Sequence, residues 1–297
     1  LEILLTLDEE TGLTGATNLG TGILEGDYLL NLDSEEIGEI YIGCSGGRDT
    51  KGVLAYTSEE APDGYGYYEI SVTGLKGGHS GLDIHQGRGN AIKILGRILN
   101  TLTEHYVVSL GEVNGGSKRN AIPREAFAIV AVDPDDDAAV QEEVIEFEKT
   151  IQAELGSVEP GVRVVMRKLD EVRDVLDEYA EDMVILTINA LPHGVLKMSA
   201  DIPGLVETST NLATISTKDG EINIGTSQRS SVESEIDDAV TMVASVFHLA
   251  GAVVETGDGY PGWKPDVHSE LLTIAKDAYS SLYGKVPEVK AIHAGLE

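Results

Sequence analysis

The sequence predicts an α/β domain that is interrupted by an inserted α+β domain, and three features of the chain indicate this fold. Short apolar segments near the start end at acidic residues or glycines, as the strands of an α/β sheet do. Residues 67–167 then show strand and helix patterns in the order β-α-β-β-α-β, a ferredoxin-like split βαβ unit. A helical pattern and a strand pattern return after the turn-rich sequence GYPGW. We therefore assign residues 1–47 and 263–297 to one discontinuous domain and residues 48–262 to the insertion.

The first domain is expected to begin with three short strands. They cover residues 1–7, Tyr28–Leu32 and Glu39–Cys44, and they end at DEE, at Asp33 and at SGG, respectively. Because function in open α/β sheets gathers beyond the carboxyl ends of the strands, the acids at these ends are candidate functional residues. The polar, turn-rich segment at residues 48–66 is interpreted as the boundary of the insertion.

Within the insertion, the alternation and helical spacing of apolar residues predict the individual elements. The first half comprises strands at residues 67–73, 106–113, 125–132 and 162–167 and helices at residues 86–102 and 135–155. The second half comprises helices at residues 171–190 and 236–250 and strands at residues 204–216, 221–227 and 252–256, with a hairpin at KDG. Its first strand is not evident, so an internal repeat remains open. A helix at residues 269–283 and a strand at residues 289–293 follow the insertion.

The charge of the chain is strongly negative, with 51 Asp and Glu residues against 21 Lys and Arg residues and a net charge of −30. Repulsion at this level disfavours nucleic acids and anionic membrane surfaces as partners. Two interpretations of the acidity remain open, a solvated surface without functional meaning and adaptation to a salty cytoplasm. The single Cys44 excludes an internal disulfide and favours a reducing, cytoplasmic compartment.

The two ends of the chain do not look like natural termini. The chain lacks an initiator Met and a signal-peptide pattern, opens in an apolar segment and closes at AIHAGLE. We therefore expect it to be an internal part of a longer enzyme. No segment of about 18 apolar residues is present, so no membrane-spanning helix is expected.

The adjacent carboxylates Glu9 and Glu10 are the first candidate functional pair. They follow an apolar, strand-like segment and precede TGLTG. Neighbouring side chains at a strand end diverge, so one carboxylate can bind a metal ion while the other accepts a proton from water as a general base. Asp33, at the end of the next predicted strand, is a further candidate. The alternative interpretation is solvated surface for the pair and a turn residue for Asp33.

Three further candidates lie in the insertion. His79 sits in the glycine loop GGHSG, where it could polarise a carbonyl or bind an anion; alternatively, it caps backbone groups. Asn120, next to Arg119 in RNAIPRE, and Arg229 in SQRSSV suit a substrate carboxylate, because guanidinium and amide groups donate hydrogen bonds to it. The alternative for each Arg is an ordinary surface ion pair.

Two residues near the end of the chain and several missing motifs complete the set of candidates. His293 and Glu297 in HAGLE follow the last predicted strand and could line the same site. The sequence contains no Walker loop, no GxGxxG that opens a helix after a strand, no CxxC and no HExxH. The usual signals of phosphate binding and of mononuclear zincin chemistry are therefore missing.

Seven stretches of the chain together resemble the aminoacyl-histidine (Xaa-His) dipeptidases, also called bacterial carnosinases. This group is part of the co-catalytic zinc exopeptidases, which also include the aminoacylases. The stretches occur in family order through nearly the whole chain and are LLTLDEETGLTGA, NLDSEEIGEIYIGCSGG, GLKGGHSGLDIHQGRGNAIKILGR, NGGSKRNAIPREAF, GLVETSTNLA, YPGWKPD and IHAGLE. The combination is specific, although each stretch alone is not.

The resemblance implies a two-metal site that involves the start of the chain. Glu9 matches the general base that activates the metal-bound water, Glu10 matches a ligand of one metal and Asp33 a ligand of the other. The implied cofactors are two divalent ions, zinc in the first place, with manganese or cobalt as alternatives. The family's HxD-type motif and bridging Asp would precede Leu1 and its last His ligand would follow Glu297, so the chain alone is expected to be inactive.

The resemblance also identifies the insertion as the family's lid, whose closure on the catalytic domain would assemble the site. His79 matches the lid histidine that stabilises the tetrahedral oxyanion. Asn120 and Arg229 match lid residues that bind the substrate, Arg229 at its carboxylate. With a true internal repeat, one chain could place His79 over its own site; otherwise the partner in a homodimer would supply it.

The implied function of the parent enzyme is metal-dependent hydrolysis of small dipeptides, Xaa-His in particular, by a two-metal-activated water with a Glu general base. Two alternatives remain open. One is an N-acyl amino-acid deacylase of the same family, and the other is a non-catalytic, metal-free relative that acts as an assembly module. The stretches GCSGG, RNAIPRE and YPGWKP favour the dipeptidase.

Overall fold

The structure is a computed structural model, and it describes residues 1–7, 14–32, 36–171 and 173–296. Its helices are α1 (Thr14–Thr17), α2 (Ala91–His105), α3 (Asp137–Leu155), α4 (Glu178–Ala190), α5 (Glu233–Leu249) and α6 (Glu270–Tyr283). Its strands are β1 (Glu39–Cys44), β2 (Gly46–Ala55), β3 (Ser58–Glu60), β4 (Gly66–Thr73), β5 (Gly78–His79), β6 (Val108–Gly115), β7 (Ala121–Ile122), β8 (Ala126–Val132), β9 (Arg163–Leu169), β10 (Asp174–Leu176), β11 (Gly194–Met198), β12 (Val206–Lys218), β13 (Glu221–Ser230), β14 (Val253–Thr256) and β15 (Glu288–Ile292). Within the described ranges, no helix has the length and apolar content needed to cross a bilayer.

Four strands and two helices form a first βαββαβ unit. Along the chain its elements are β4, α2, β6, β8, α3 and β9, in the order that the sequence patterns predict. In the sheet the strands lie in the order β6-β8-β4-β9, with antiparallel neighbours. Helix α2 begins at Ala91 rather than at Gln86, because the side chain of Asn90 caps it by accepting the N–H groups of Ile92 and Lys93.

A second unit has the same order of elements and the same order of strands. Its elements along the chain are β2, α4, β12, β13, α5 and β14, and its strands lie in the order β14-β2-β13-β12 with antiparallel neighbours. The first strand of this unit, which the sequence patterns leave unidentified, is β2. The whole first unit therefore lies, in the sequence, between the first strand and the first helix of the second unit.

The two units join edge to edge. Strand β12 pairs with β6 at Ile215 and Gly115, and in the described part of the chain this gives one nine-stranded sheet that also includes β11. Helices α2 and α4 meet at the same junction, where a Cβ on Gly96 would lie 2.4 Å from Cγ2 of Ile188. One continuous hydrophobic core connects the sheet with helices α2 to α5. Strand β13, which carries a residue of the candidate site described below, is therefore positioned by this core.

The strands predicted at residues 39–44 and 289–293 are present as β1 and β15. They pair with each other in parallel, in a two-stranded sheet apart from the large one. Isolated bridges connect Cys44 with Trp263 and Gly47 with Tyr260. The chain thus passes from β1 to the large sheet at Ser45 and comes back alongside it at GYPGW. The division at residues 47 and 263 stays a prediction.

Two other strand predictions are wrong. Residues 1–7 and 28–32 are not in strands. Alternating apolar side chains form a stable strand only where a neighbouring strand supplies hydrogen bonds. In the described ranges, no strand pairs with either segment.

The prediction of turns at residues 48–66 is also wrong for the first part of that segment, which forms strand β2 between β13 and β14. Glycines and charged residues obscure the strand pattern, and contacts with helix α5 account for two of them, Arg48 and Gly52. Arg48 forms ion pairs with Glu233 and Asp237 of α5. A Cβ on Gly52 would lie 2.2 Å from the ring of Phe247, so only glycine fits there.

The helix predicted at residues 171–190 is shorter than expected. Residues before Glu178 form β10, which pairs with β3, and the helix begins after Asp177. The Asp177 side chain accepts the N–H groups of Ala180 at 3.0 Å and of Thr57 at 2.8 Å. A capping carboxylate that also binds a distant segment therefore sets the start of α4.

Glu181 of α4 makes the stability of the fold depend on pH. Its side chain accepts the backbone N–H of Leu110, and burial raises the pKa of its carboxyl from 4.5 to about 7. An acid whose pKa is raised by folding favours the folded state only while it is protonated, so stability should fall as the pH rises through this range. We expect Glu181→Gln to remove most of this fall, on the order of 2 kcal/mol, in urea unfolding at pH 4.5 and pH 8.

Asp182→Asn is the matched control, because it removes the same charge from the exposed neighbouring position. This variant should keep most of the pH dependence, because the charge of Asp182 raises the pKa of Glu181 less than burial does. The same fall in stability with and without the Glu181 carboxyl would contradict the prediction.

Candidate active site

Four candidate residues lie outside the described part of the structure: Glu9, Glu10, Asp33 and Glu297. Within the described ranges, no group of three or more His, Cys, Asp and Glu side chains could hold a metal ion. The described residues therefore do not form a metal centre by themselves. The candidate site that the structure does show is formed mainly by side chains of the insertion.

Arg229 and the loop of His79 come together in this site. Arg229 lies at the end of β13 and is 7% exposed. Its Nε donates to Oγ of Ser80 at 3.2 Å, and its Nη1 donates to the hydroxyl of Tyr260 at 2.8 Å. Among the described residues, no carboxylate oxygen lies within 4.0 Å of the Arg229 guanidinium, so Arg229 forms no ion pair there. A buried guanidinium without a counter-ion is unfavourable, and it is well suited to bind the carboxylate of a ligand.

The ring of His79 has a defined tautomer. Its Nδ1 accepts the backbone N–H groups of Gly81 and Leu82, both at 3.1 Å. Because an accepting nitrogen carries no proton, the neutral ring carries its proton on Nε2. Burial lowers the pKa of His79, the positive charge of Arg229 lowers it further, and Asp83 opposes both effects. At pH 7 the ring is therefore mainly neutral and offers Nε2–H as a hydrogen-bond donor.

The segment that carries this ring, residues 76–89, is named the histidine loop. Asp83 braces it from inside: one oxygen accepts the backbone N–H of His79 at 2.8 Å, and the other accepts Nη2 of Arg88 at 2.9 Å. Arg88 in turn donates from Nη1 to the carbonyl of Gly77 at 2.6 Å. These bonds fix the backbone on both sides of the imidazole, so its direction is set before any ligand arrives.

Asn120 lies beside the histidine loop through its backbone. Its carbonyl accepts the N–H of Ser80 at 2.9 Å, and strand β7, which follows it, pairs with β5. The side chain is exposed and makes no hydrogen bond within the described part of the chain. The amide is therefore available to a ligand. Arg119, in contrast, forms an exposed ion pair with Asp49, as its alternative interpretation predicts.

His293 forms one wall of the site. Its Nε2 lies 2.7 Å from Oγ of Ser209, which is opposite Arg229 in the register of β12 and β13. Its carbonyl approaches Gly81 so closely that a Cβ there would lie 2.0 Å from the oxygen. Burial lowers the pKa of His293 to about 3, so the ring is neutral. It also lines a cleft of about 350 Å³ between the histidine loop, residues 202–206 and β15.

Sequence patterns alone do not reveal Ser80, Tyr260 or Ser209 as parts of this site. Each contributes a hydroxyl to a contact between segments that are distant in the sequence, and such contacts leave no local signal. The only signal available for Tyr260 is its place in the turn-rich GYPGW sequence, whose backbone pairs with Gly47.

The sequence Gly43–Gly47 reads GCSGG and matches the GxSxG pattern of serine hydrolases. The structure does not support that chemistry. Ser45 connects strand β1 to strand β2, whereas a nucleophile elbow connects a strand to a helix. Its side chain is fully buried, and its Oγ has no hydrogen-bond partner among the described residues. A nucleophilic serine needs access to substrate and a neighbouring base, so Ser45 is structural.

Comparison with known families first identifies the class of domain. Residues 70–159, which run from β4 to the turn after α3, match the family described as a peptidase dimerisation domain. This match covers most of the first βαββαβ unit and includes the histidine loop. This part of the chain is therefore similar to a domain that is named for peptidases.

Two named dipeptidases are similar to the chain over nearly all of its length. It is 40% identical to the cytosol non-specific dipeptidase of Escherichia coli (strain K12) over 297 residues, which is 100% of this chain and 61% of that protein. The crystal structure of aminoacylhistidine dipeptidase from Vibrio alginolyticus matches with a TM-score of 0.94 and 41% identity, over 98% of this chain and 59% of that chain. The chain thus spans about three fifths of the length of these relatives. These matches confirm the resemblance to aminoacyl-histidine dipeptidases.

Proposed function

We propose that the protein is a metal-dependent dipeptidase that hydrolyses Xaa-His dipeptides, and that this chain supplies its carboxylate-binding site and its oxyanion donor. The observation that carries the proposal is Arg229. Its guanidinium is buried, has no carboxylate partner among the described residues and lies against Ser80, next to His79. A dipeptide has a single C-terminal carboxylate one residue from the scissile bond, so one buried Arg can set the position of that bond. The names of the two relatives support this choice.

His79 would act on the scissile carbonyl. Its neutral ring would donate Nε2–H to the oxygen as negative charge develops there, a contribution typically of about 3–4 kcal/mol. The donor is pre-oriented, because Nδ1 is occupied by two backbone N–H groups. The exposed amide of Asn120 would add a second contact with the substrate backbone.

The metal chemistry is proposed from the resemblance, because the described residues contain no metal cluster. Glu10 and Asp33 would be ligands of two divalent ions, zinc in the first place and manganese or cobalt as alternatives. When bound, such ions lower the pKa of a water molecule toward neutrality. Glu9 would accept the proton of the attacking water and return it to the leaving amine. The other ligands would come from the part of the relatives' length that this chain does not span.

The domain division is proposed together with this function. Residues 1–47 and 263–297 would belong to the catalytic α/β domain, and residues 48–262 would form a ferredoxin-like lid. The parallel pairing of β1 with β15, apart from the large sheet, supports the division. The contact of His293 with Ser209 then joins the catalytic part to the lid. Closure of the lid would bring His79 and Arg229 over the metals.

The proposed partners are a small dipeptide and a second copy of the chain. The peptidase dimerisation domain at residues 70–159 supports a homodimer. The net charge of −30 argues against nucleic acids and anionic membranes. The word "cytosol" in the name of the Escherichia coli relative supports a cytoplasmic location.

The test is a substrate panel, assayed with the native protein that contains this chain. We expect it to hydrolyse Xaa-His dipeptides, to lose activity with a chelator and to recover it with added zinc, manganese or cobalt. N-acyl amino acids should be poor substrates. Preference for them would replace the dipeptidase with the deacylase of the same family. Absence of any metal-dependent hydrolysis would favour a non-catalytic assembly module.

A further inference from the structure

We infer that Glu159 is a positioning residue for His79: its buried carboxylate binds both ends of the histidine loop and keeps the imidazole in its oriented state. The inference rests on the proposed function of His79. Glu159 itself does not reach the substrate site, because both of its side-chain contacts are with the backbone of the loop ends.

The two oxygens of the Glu159 carboxylate bind opposite ends of the histidine loop. Glu159 is 0% exposed and lies in the turn after α3. Its Oε2 accepts the backbone N–H of Lys76 at 2.8 Å, and its Oε1 accepts the backbone N–H of Gly89 at 3.0 Å. These two residues are the first and last of the histidine loop. A single carboxylate therefore joins the ends of the loop and limits the conformations of everything between them.

Backbone hydrogen bonds hold Glu159 itself in place. The N–H of Glu159 donates to the carbonyl of Leu155 at 2.7 Å, and its carbonyl accepts the N–H of Val162 at 3.1 Å. The backbones on either side are in close contact, since a Cβ on Gly74 would lie 1.9 Å from the carbonyl oxygen of Gly161. Glu159 thus connects the histidine loop to the turn between α3 and β9, whose backbone these contacts fix.

Stability alone does not account for a carboxylate at this position. Within the described part of the chain, no Lys, Arg or His side chain forms an ion pair with Glu159. A fully buried carboxyl group without a cation is unfavourable unless its hydrogen bonds compensate. Here both hydrogen bonds go to the histidine loop, and what they specify is the path of the backbone that carries His79.

Three sets of contacts therefore orient the imidazole, and the pairing of β5 with β7 is one of them. Asp83 fixes the backbone at His79 from inside the loop, and Glu159 fixes the loop ends from outside. If the ends are released, the loop can pivot on the two-residue pairing of β5 with β7 and carry Nε2 away from the substrate carbonyl. A displacement of about 1 Å is enough to lower a rate by up to about 100-fold.

The kinetic test compares Glu159→Ala and Glu159→Gln with Glu154→Ala in the native protein. Glu154 is the matched control, because it is an exposed carboxylate of α3 that pairs with Arg97 at the surface. We expect Glu159→Ala to lower kcat for an Xaa-His dipeptide by about tenfold or more, with less than about a twofold change in KM. Glu159→Gln keeps one accepting oxygen, so its kcat should lie between those of Glu159→Ala and the unmodified protein. Glu154→Ala should match the unmodified protein.

Amide hydrogen exchange is the second readout, and it does not depend on activity. In Glu159→Ala, exchange at Lys76 and Gly89 should be about tenfold faster or more, because each N–H loses its acceptor. Amides in the centres of α2 and α3 should keep their protection.

Three results would overturn the inference. They are a kcat for Glu159→Ala equal to that of the control, unchanged exchange at the loop ends, or a loss of protection throughout the core, which would show a general structural role. Failure of the proposed function looks different. In that case His79→Ala itself would leave kcat unchanged, while the exchange data would still report whether Glu159 holds the loop.

Discussion

Replacing Arg229 with alanine is expected to lower kcat/KM for a dipeptide by about 100- to 1,000-fold. Truncating one partner of a buried, hydrogen-bonded charge pair typically costs about 2–5 kcal/mol, and each 1.4 kcal/mol corresponds to a factor of ten. Because Arg229 would bind the carboxylate equally in the ground state and the transition state, the loss should appear mainly as a higher KM. Steady-state kinetics with an Xaa-His dipeptide measures both constants.

The substrate provides a sharper test of the same prediction. A C-terminally amidated dipeptide lacks the charge that Arg229 binds, so it should be a poor substrate of the unmodified protein. Arg229→Ala should change kcat/KM for this dipeptide only slightly. Arg229→Lys keeps the charge but loses the planar pair of donors, and should be intermediate. Arg167→Ala removes an exposed Arg that pairs with Glu69, and should have no effect. Equal losses with the free and the amidated dipeptide would refute carboxylate binding.

Replacing His79 with alanine is expected to have the complementary effect, a fall of about 100- to 1,000-fold in kcat with KM nearly unchanged. Removing one preorganised oxyanion donor has this typical magnitude, and the donor acts only as charge develops on the carbonyl oxygen. The control is His105→Ala, at the exposed end of α2. A rise in KM without a fall in kcat would mean that His79 binds the ground state instead.

The titration of His79 tests the tautomer on which this prediction depends. Burial and the charge of Arg229 lower the pKa of His79 below its ordinary value of 6.5. A proton on Nδ1 would face the N–H groups of Gly81 and Leu82, so protonation would break the loop contacts. In an NMR titration, the His79 ring should therefore stay neutral as the pH falls through 6.5. Midpoint protonation at or above that value would contradict the assignment.

The limits of prediction from sequence differ between the two units of the insertion. In the first unit, each strand and helix follows the one before and packs on it, so local patterns locate all of them to within a few residues. In the second unit, β2 is separated from α4 by the entire first unit. Its Arg48 pairs with α5 and its Gly52 faces Phe247, so its pattern reflects distant partners and resembles a turn.

The candidate site shows the same division. His79 and Arg229 are of residue types and in local contexts that suggest chemistry, and the structure brings them together through Ser80. Which nitrogen of His79 carries the proton, and whether Arg229 has an ion-pair partner, depend on the three-dimensional arrangement of segments. Neither property can be predicted from the sequence around the residue. Glu159 has no local signal at all, since it is one acidic residue among 51.

The interrupted order of the second unit has a consequence for synthesis on the ribosome. Strand β2 pairs along its length with β13, up to Gly46 opposite Ser230. At about 5–20 residues per second, β13 follows β2 by on the order of ten seconds or more, and the first unit is complete in the meantime. During that delay β2 is a nascent strand without its neighbours, open to pairing with other chains. Its charged residues Arg48, Asp49 and Lys51 disfavour such pairing. The same charges that make the strand hard to recognise in the sequence therefore protect it from aggregation until β13 has been synthesised.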